Sequence, residues 1–377
     1  MKTSLQVTEV RGDSDMRRFI ELPWRIYDGD PRWIPPLKRE IRDLLDPGVH
    51  PFWQFAERVL FLALRGTEPI GRVVGIINYN HNRFHNERAA AWGFFECIKE
   101  PEVAEALFSR VQRWAGEKGM QVLRGPLNPS TNYEIGMLLE GFDLPPVFMM
   151  SYNPPYYLDL MESCGFRKEK DLLAYAVDRN WQPPEWVGNI ARKILEENNV
   201  RVRHIQMRNL QDEVHIIKDI YHDAWFDNWG FVPMTDAEID EMGRKLKGII
   251  DPKLVFFILL DEKPVGVGMI VPDINPLLKH FNGRIGVLGW MKYLLYKKEI
   301  TGLRGMIFGI KKQYQQMGLP LVAFDYLYRG LLENGSLRRY STLELGWNLE
   351  DNDLINKWYD DGGARVVKRF RIFSKLI

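Results

Sequence analysis

Only two cysteines, Cys97 and Cys164, occur in the 377 residues. Two thiols build neither a disulfide framework nor a cysteine-rich metal site, and they point to a reducing, cytoplasmic compartment. A surplus of either charge is also missing, because 51 basic and 50 acidic residues leave a net charge of +1. Nucleic-acid partners usually demand a basic surplus or stripe, so none is expected. No apolar run reaches the roughly 20 residues that span a bilayer. The most membrane-like piece, 285–296, is short and is broken by Lys292. The opening MKTSLQVTEVRGDSD has no apolar core of the kind a secretion signal carries. Of the few histidines, His81 and His85 sit at helical spacing in a polar loop without a third ligand in range, so no metal site is expected. No Gly-x-Ser-x-Gly elbow or Cys/His pair suggests covalent catalysis.

What is abundant is aromatic and apolar side chain, including twelve tryptophans and twenty phenylalanines. That supply suits large cores and a lined cleft, and the length favours two domains. Three echoes point to an internal repeat. Trp33 in DPRWIPP returns as Trp229 in DNWGFVP, 196 residues later. Pro69 of Glu-Pro-Ile-Gly returns as Pro264 of Lys-Pro-Val-Gly, at 195, and Gly165 of Cys-Gly-Phe-Arg as Gly363 of Gly-Gly-Ala-Arg, at 198. Hydrophobic periodicity agrees. In the first half it predicts strands at 5–10, 59–64, 70–78, 91–97, 122–125 and 171–177, with helices at 16–27, 102–118 and 156–163. In the second half it predicts strands at 202–206, 254–260, 264–271, 305–310, 342–347 and 366–373, with helices at 212–226, 236–246, 321–332 and 353–361. The fold class is therefore α/β (α+β): two tandem domains, each a mixed, mostly antiparallel twisted sheet flanked by helices. We divide the chain into 1–180, a linker at 181–200, and 201–377.

This order of elements resembles the GNAT N-acyltransferase superfamily, and within it the bacterial tandem-GNAT proteins of unassigned substrate. The resemblance is carried by Asp30-Pro-Arg-Trp-Ile-Pro-Pro, Gly93-Phe-Phe-Glu-Cys, Gly125-Pro-Leu-Asn-Pro-Ser-Thr, Gly141-Phe-Asp-Leu-Pro-Pro and Glu344-Leu-Gly-Trp-Asn-Leu-Glu-Asp-Asn. It implies acetyl-CoA or another acyl-CoA as co-substrate and a small-molecule or peptide amine as acceptor. The family grips the CoA pyrophosphate on a strand-to-helix turn of the form [RQ]-x-x-G-x-[GA], where backbone N–H groups at the helix N-terminus cradle phosphate. Here the matching stretch is Gln315-Gln316-Met317-Gly318-Leu319-Pro320, and Pro320 departs from the pattern and removes one N–H. Phe308, Gly309 and Ile310 would run beside the pantetheine. The corresponding turn of the first half, Glu96–Glu102, has no glycine and carries Glu100 and Glu102 where a pyrophosphate would lie. The first half is therefore expected to be degenerate and to shape the acceptor site.

The family commonly takes its acid from a tyrosine on the last helix, in a pattern like N-x-x-A-I-x-L-Y-x-x-x-G. Asn352 and Tyr359 match that spacing; they also read as an N-cap and an amphipathic wall residue. In the first half Met161 falls where the tyrosine should be. Glu344, between Leu343 and Leu345, is the candidate base, since a carboxylate there lines a cleft or is buried at high cost. Glu350 is its rival. The apolar stretch 273–301 reads as a lid over an acyl chain, a homodimer contact, a membrane-surface patch, or packing against the other domain. Two further readings stay open: a binding protein that has lost its chemistry, and an aminoacyl transferase like those that extend peptidoglycan cross-bridges.

Overall fold

The computed structural model describes residues 4–333 and 339–377. In chain order the first half contains β1 (Leu5–Glu9), α1 (Gly12–Glu21), α2 (Pro23–Ile26), α3 (Lys38–Leu45), β2 (Ala56–Arg65), β3 (Glu68–Asn78), α4 (Tyr79–His85), β4 (Ala89–Cys97), α5 (Pro101–Glu117), β5 (Val122–Gly125), β6 (Leu127–Asn128), β7 (Glu134–Ile135), β8 (Met137–Glu140), α6 (Tyr157–Ser163) and β9 (Arg167–Asp178). The second half contains α7 (Glu185–Glu197), β10 (Val200–His204), α8 (Leu210–Trp225), α9 (Asp236–Leu246), β11 (Val255–Leu260), β12 (Lys263–Pro272), α10 (Asn275–Phe281), α11 (Gly289–Tyr296), β13 (Gly302–Ile310), α12 (Leu319–Glu333), β14 (Thr342–Leu349), α13 (Asp353–Asp361) and β15 (Arg365–Leu376). This is the expected mixed α/β fold.

Contacts group the chain into two compact units. The first unit takes the chain up to Leu172 together with Asn275–Tyr296 and Lys368–Ile377; the second takes Leu173–Ile274 and Lys297–Val367. These units depart from a division at 1–180 and 201–377. The end of the chain joins the first unit because Phe373 to Leu376 pair antiparallel with Gly125 to Val122. The end of β9 from residue 173 belongs to the second unit, where β9 adjoins β14. Each unit therefore holds the last strand of the opposite half.

In the first unit the sheet runs β1-β2-β3-β4-β5-β15, antiparallel except for the β4/β5 pair. Alternation fixes its two faces. Val59, Phe61 and Ala63 of β2 join a core with α5 and α6, whereas Leu60, Leu62 and Leu64 join one with Phe19 of α1 and Leu45 of α3. Helix α5 lies close on β3 because Gly75 has no side chain: a Cβ there would stand 3.1 Å from the Trp114 ring. In the second unit the order is β10-β11-β12-β13-β14, antiparallel except for β13/β14.

Three sequence expectations change. The helix expected at 16–27 breaks before Pro23, which starts α2 at a position where a missing N–H costs nothing. Residues 181–200 are not a free linker, since α7 buries Val187, Ala191 and Ile194 and the last two pack with Leu319 and Val322. His81 and His85 lie on a helix, α4, with His81 bonded to Glu87 at 2.7 Å.

Candidate active site

The two strands that carry Phe308, Gly309, Ile310 and Glu344 pair only at one end. β13 and β14 run parallel and in register from Gly302 opposite Thr342 to Gly305 opposite Leu345, and no further. At the same point β13 bulges away from β12, where the register passes from Gly305 to Ile307 and leaves Met306 without a partner. Past that point, Met306, Ile307 and Phe308 on one lip and Gly346, Trp347 and Asn348 on the other are half-buried, although both strands are interior to the sheet. The result is a slot whose edges are backbone that the parallel ladder leaves unused. An extended ligand can enter such a slot as an added strand does.

The duplicate gap in the first unit is closed by the chain itself. β4 and β5 pair in parallel from Ala89–Val122 to Ala91–Arg124, and β4 again bulges, with Phe94 at a φ of 50°. The Phe94 N–H donates to Asn128 Oδ1 at 2.7 Å. The β6 backbone lies so near that a Cβ on Gly93 would be 2.0 Å from the Leu127 carbonyl oxygen. The adjacent turn is committed as well. Glu100 pairs with Arg65, and the backbone N–H of Cys97 donates to the Tyr157 hydroxyl at 2.9 Å. Tyr157 in turn donates to Glu96 at 2.7 Å, and burial raises the Glu96 pKa against the pull of Arg72.

The two final helices are equivalent. The N–H of Phe166 bonds the Met161 carbonyl at 3.0 Å, and that of Ala364 bonds the Tyr359 carbonyl at 2.9 Å, each just after a left-handed glycine, Gly165 or Gly363. Met161 is completely buried in the apolar core. Tyr359 is buried too. Its ring packs on Tyr175 and on Phe324, which itself stacks on Phe308, so a chain of rings links Tyr359 to a lip of the slot. Desolvation, with the Tyr175 phenol nearby, raises its pKa and keeps it protonated.

The turn after β13 is longer than a simple strand-to-helix loop. Residues Lys312–Met317, including Gln315, Gln316 and Met317, form a short 3-10 helix before Gly318, which adopts a φ of 70°. Leu319 begins α12 with Pro320 in its first turn. Gln315 turns its amide back onto the Ile310 carbonyl at 3.1 Å, while Gln316 is exposed. Lys311 and Lys312 are held by Asp219 and Asp227, and the Lys312 N–H by Asp223, so an acidic face of α8 and the residues after it meets this turn. Ile310 and Leu319 send their side chains into the core. Gly309 is covered by Trp225, because a Cβ there would stand 2.1 Å from that ring. Asn352 caps α13, accepting from the Ile355 N–H at 3.4 Å. Glu344 is 7% exposed and lies in the paired part of β14, level with the equally buried Arg304.

Sequence reasoning missed four features of this site. They are the Met306 bulge, Arg304 opposite Glu344, the α8 aspartates, and Asn348, whose buried Nδ2 has no partner among the described residues. All depend on register or on a helix packed from elsewhere, which one sequence does not display.

No family model matches the chain. Two curated proteins are similar along nearly its whole length. One is the "Bacterial ceramide synthase" of Caulobacter vibrioides, 31% identical over 377 residues, covering 99% of this chain and 98% of that protein. The other is "Protein YghO" of Escherichia coli K12, 30% identical over 373 residues, covering 97% and 93%. Among solved structures, a tandem GNAT protein from the clavulanic acid biosynthesis pathway aligns with a TM-score of 0.55 at 9% identity, covering 99% of this chain and 98% of its own. A GCN5-related N-acetyltransferase from Sphaerobacter thermophilus gives 0.54 at 13%, covering 99% and 95%. With the fold and the full-length relatives together, the chain belongs to the family of the Caulobacter vibrioides protein and YghO, and its fold is that of the GNAT proteins it aligns with.

Proposed function

We propose that this protein is an N-acyltransferase that moves a fatty acyl group from acyl-CoA to the amine of a long-chain amino alcohol, giving a ceramide-type amide. The observation that carries the reading is the contrast between two equivalent gaps. In the second unit the slot between β13 and β14 is lined by half-buried residues, and in the first unit Leu127 and Asn128 fill it. The acyl class and acceptor come from the similar Caulobacter protein, whose name specifies ceramide synthesis. The resemblance implied acetyl-CoA or another acyl-CoA, with acetyl favoured, and this reading takes the fatty acyl donor on that name.

In this reading the pantetheine lies along β13. The Met306 N–H, which the β12 ladder does not use, faces the thioester carbonyl and stabilises the oxyanion as the amine attacks. The new C–N bond forms, the C–S bond breaks, the leaving thiolate takes the proton of the Tyr359 hydroxyl, and the proton that the nitrogen sheds on becoming an amide passes through water to restore the phenol. The amine arrives as an ammonium and must lose a proton first. Glu344 is the proposed base, and Asn352 holds the start of α13 rather than touching CoA. The turn at Gln315–Leu319 contributes less than the family pattern implies, since its glutamine is engaged and aspartates stand beside it.

The function is tested by incubating the protein with palmitoyl-CoA and a saturated long-chain amino alcohol, and measuring free thiol and amide together. Stoichiometric thiol and amide are expected; thiol without amide, or neither product, overturns the reading. Glu344→Gln separates the base from a partner of Arg304. A base predicts loss of kcat with folding stability kept, whereas retained kcat with lowered stability removes Glu344 from the mechanism.

A further inference from the structure

We infer that the segment around α11 is a docking surface for an anionic lipid bilayer. Its apolar side chains face outward: Val287 is 95%, Leu295 67% and Trp290 65% exposed, and Leu288, Tyr293 and Leu294 are exposed as well. Within α11 only Gly289 is buried. A surface helix normally hides one apolar stripe, so a helix apolar around most of its circumference lacks its partner. Local charge indicates which partner fits. Residues 274–298 contain Lys279, Arg284, Lys292, Lys297 and Lys298 and no aspartate or glutamate, whereas the rest of the chain carries four more acidic than basic side chains. All five basic residues are exposed. A second copy would bring the same positive charge against this one, whereas an anionic headgroup layer complements it. Trp290 and Tyr293 are residue types that settle at the boundary of headgroups and acyl chains.

The segment is also firmly mounted. The Trp24 indole N–H donates to Asn282 Oδ1 at 2.7 Å, the Lys38 N–H to the Gly283 carbonyl at 3.0 Å, and Asn275 Nδ2 to the Pro146 carbonyl at 2.7 Å. Arg284 and Lys292 already make local contacts, with Glu21 at 3.5 Å and the His280 carbonyl at 2.7 Å, and remain exposed enough to meet headgroups. This inference stands on the surface alone and is independent of the acceptor assigned above, although a lipid acceptor would be reached from the same membrane.

The test is flotation of the full chain with vesicles of phosphatidylcholine alone or with roughly one-third phosphatidylglycerol. Binding to the anionic vesicles is expected. It should fall at least about tenfold in Leu294→Glu/Leu295→Glu and in Trp290→Ser, with circular dichroism and Tm unchanged. Lys297→Glu/Lys298→Glu should weaken binding to anionic vesicles only. Failure of the wild type to float, or flotation unchanged by the apolar substitutions, overturns the inference. So does light scattering that shows a dimer which these substitutions convert to monomer. Thiol release with a short-chain amine in vesicle-free solution should stay unchanged, so loss of docking and loss of acyl transfer are read separately.

Discussion

In the proposed mechanism the Tyr359 hydroxyl, which its counterpart Met161 lacks, is the proton donor. Burial and the Tyr175 phenol hold it protonated. Tyr359→Phe should therefore lower kcat about a hundredfold or more, the range of a lost general acid, while leaving the Kd for acyl-CoA unchanged. Calorimetry beside a thiol-release assay checks both, and an equal loss in both quantities would make Tyr359 a wall of the slot. For the same reason no alkaline limb attributable to this phenol should appear below about pH 10. Gly309 is informative in the opposite sense. A methyl group there meets Trp225, so Gly309→Ala should destabilise the fold by about 1–3 kcal/mol through overpacking, seen as a lower Tm.

At the scale of elements, the two bulged strands explain the asymmetry between the halves. Asn128→Ala removes the acceptor of the Phe94 N–H and should cost about 1–2 kcal/mol of stability without exposing a second site, because the Leu127 backbone still fills the gap. Helix α4 is tied to β5 by Glu87, whose carboxyl is held at about 2, first by its hydrogen bond to His81 and then, against the cost of burial, by Arg124. A depressed carboxylate stabilises the fold above its unfolded value near 4.5, and that contribution is lost as pH falls toward 2. The stability difference between wild type and Glu87→Gln should thus be constant above about pH 5 and shrink from there to pH 3, in urea titrations at each pH.

These elements also show how far the sequence could be read. Strand alternation and helical spacing located the long strands and most long helices, because β2 splits its residues between two cores and α5 repeats its buried face regularly, but not α3, α4, α7, α10, α11 or the short β6–β8. The shared offset of Gly165 and Gly363 marked a real equivalence, since both follow the last helix in the left-handed conformation. Long-range placement was not legible. Nothing in the local pattern of 365–376 says that it pairs with β5, and nothing in 181–200 says that α7 supplies core to α12. For the site, residue types were legible and their use was not. Gln315 fits the pattern yet turns back onto Ile310, and Glu344 fits a base yet sits level with Arg304.

At the scale of the molecule, a duplicated fold has kept one open slot and closed the other. In the proposed reading the turn at Gln315–Leu319 is already engaged and flanked by aspartates, so donor affinity should come chiefly from pantetheine and acyl chain. Fatty acyl-CoA should then bind at least about tenfold more tightly than CoA, with a weak dependence on salt. Gln316→Glu, an exposed change, should weaken both ligands by only a few fold. The measurement that bears most directly on this account is amide hydrogen exchange with and without palmitoyl-CoA. Slowed exchange is predicted at 306–310 and 345–349, along the lips of the second unit's slot, with 93–97 of the first unit unchanged. Protection at 93–97 without protection at 306–310 would contradict it.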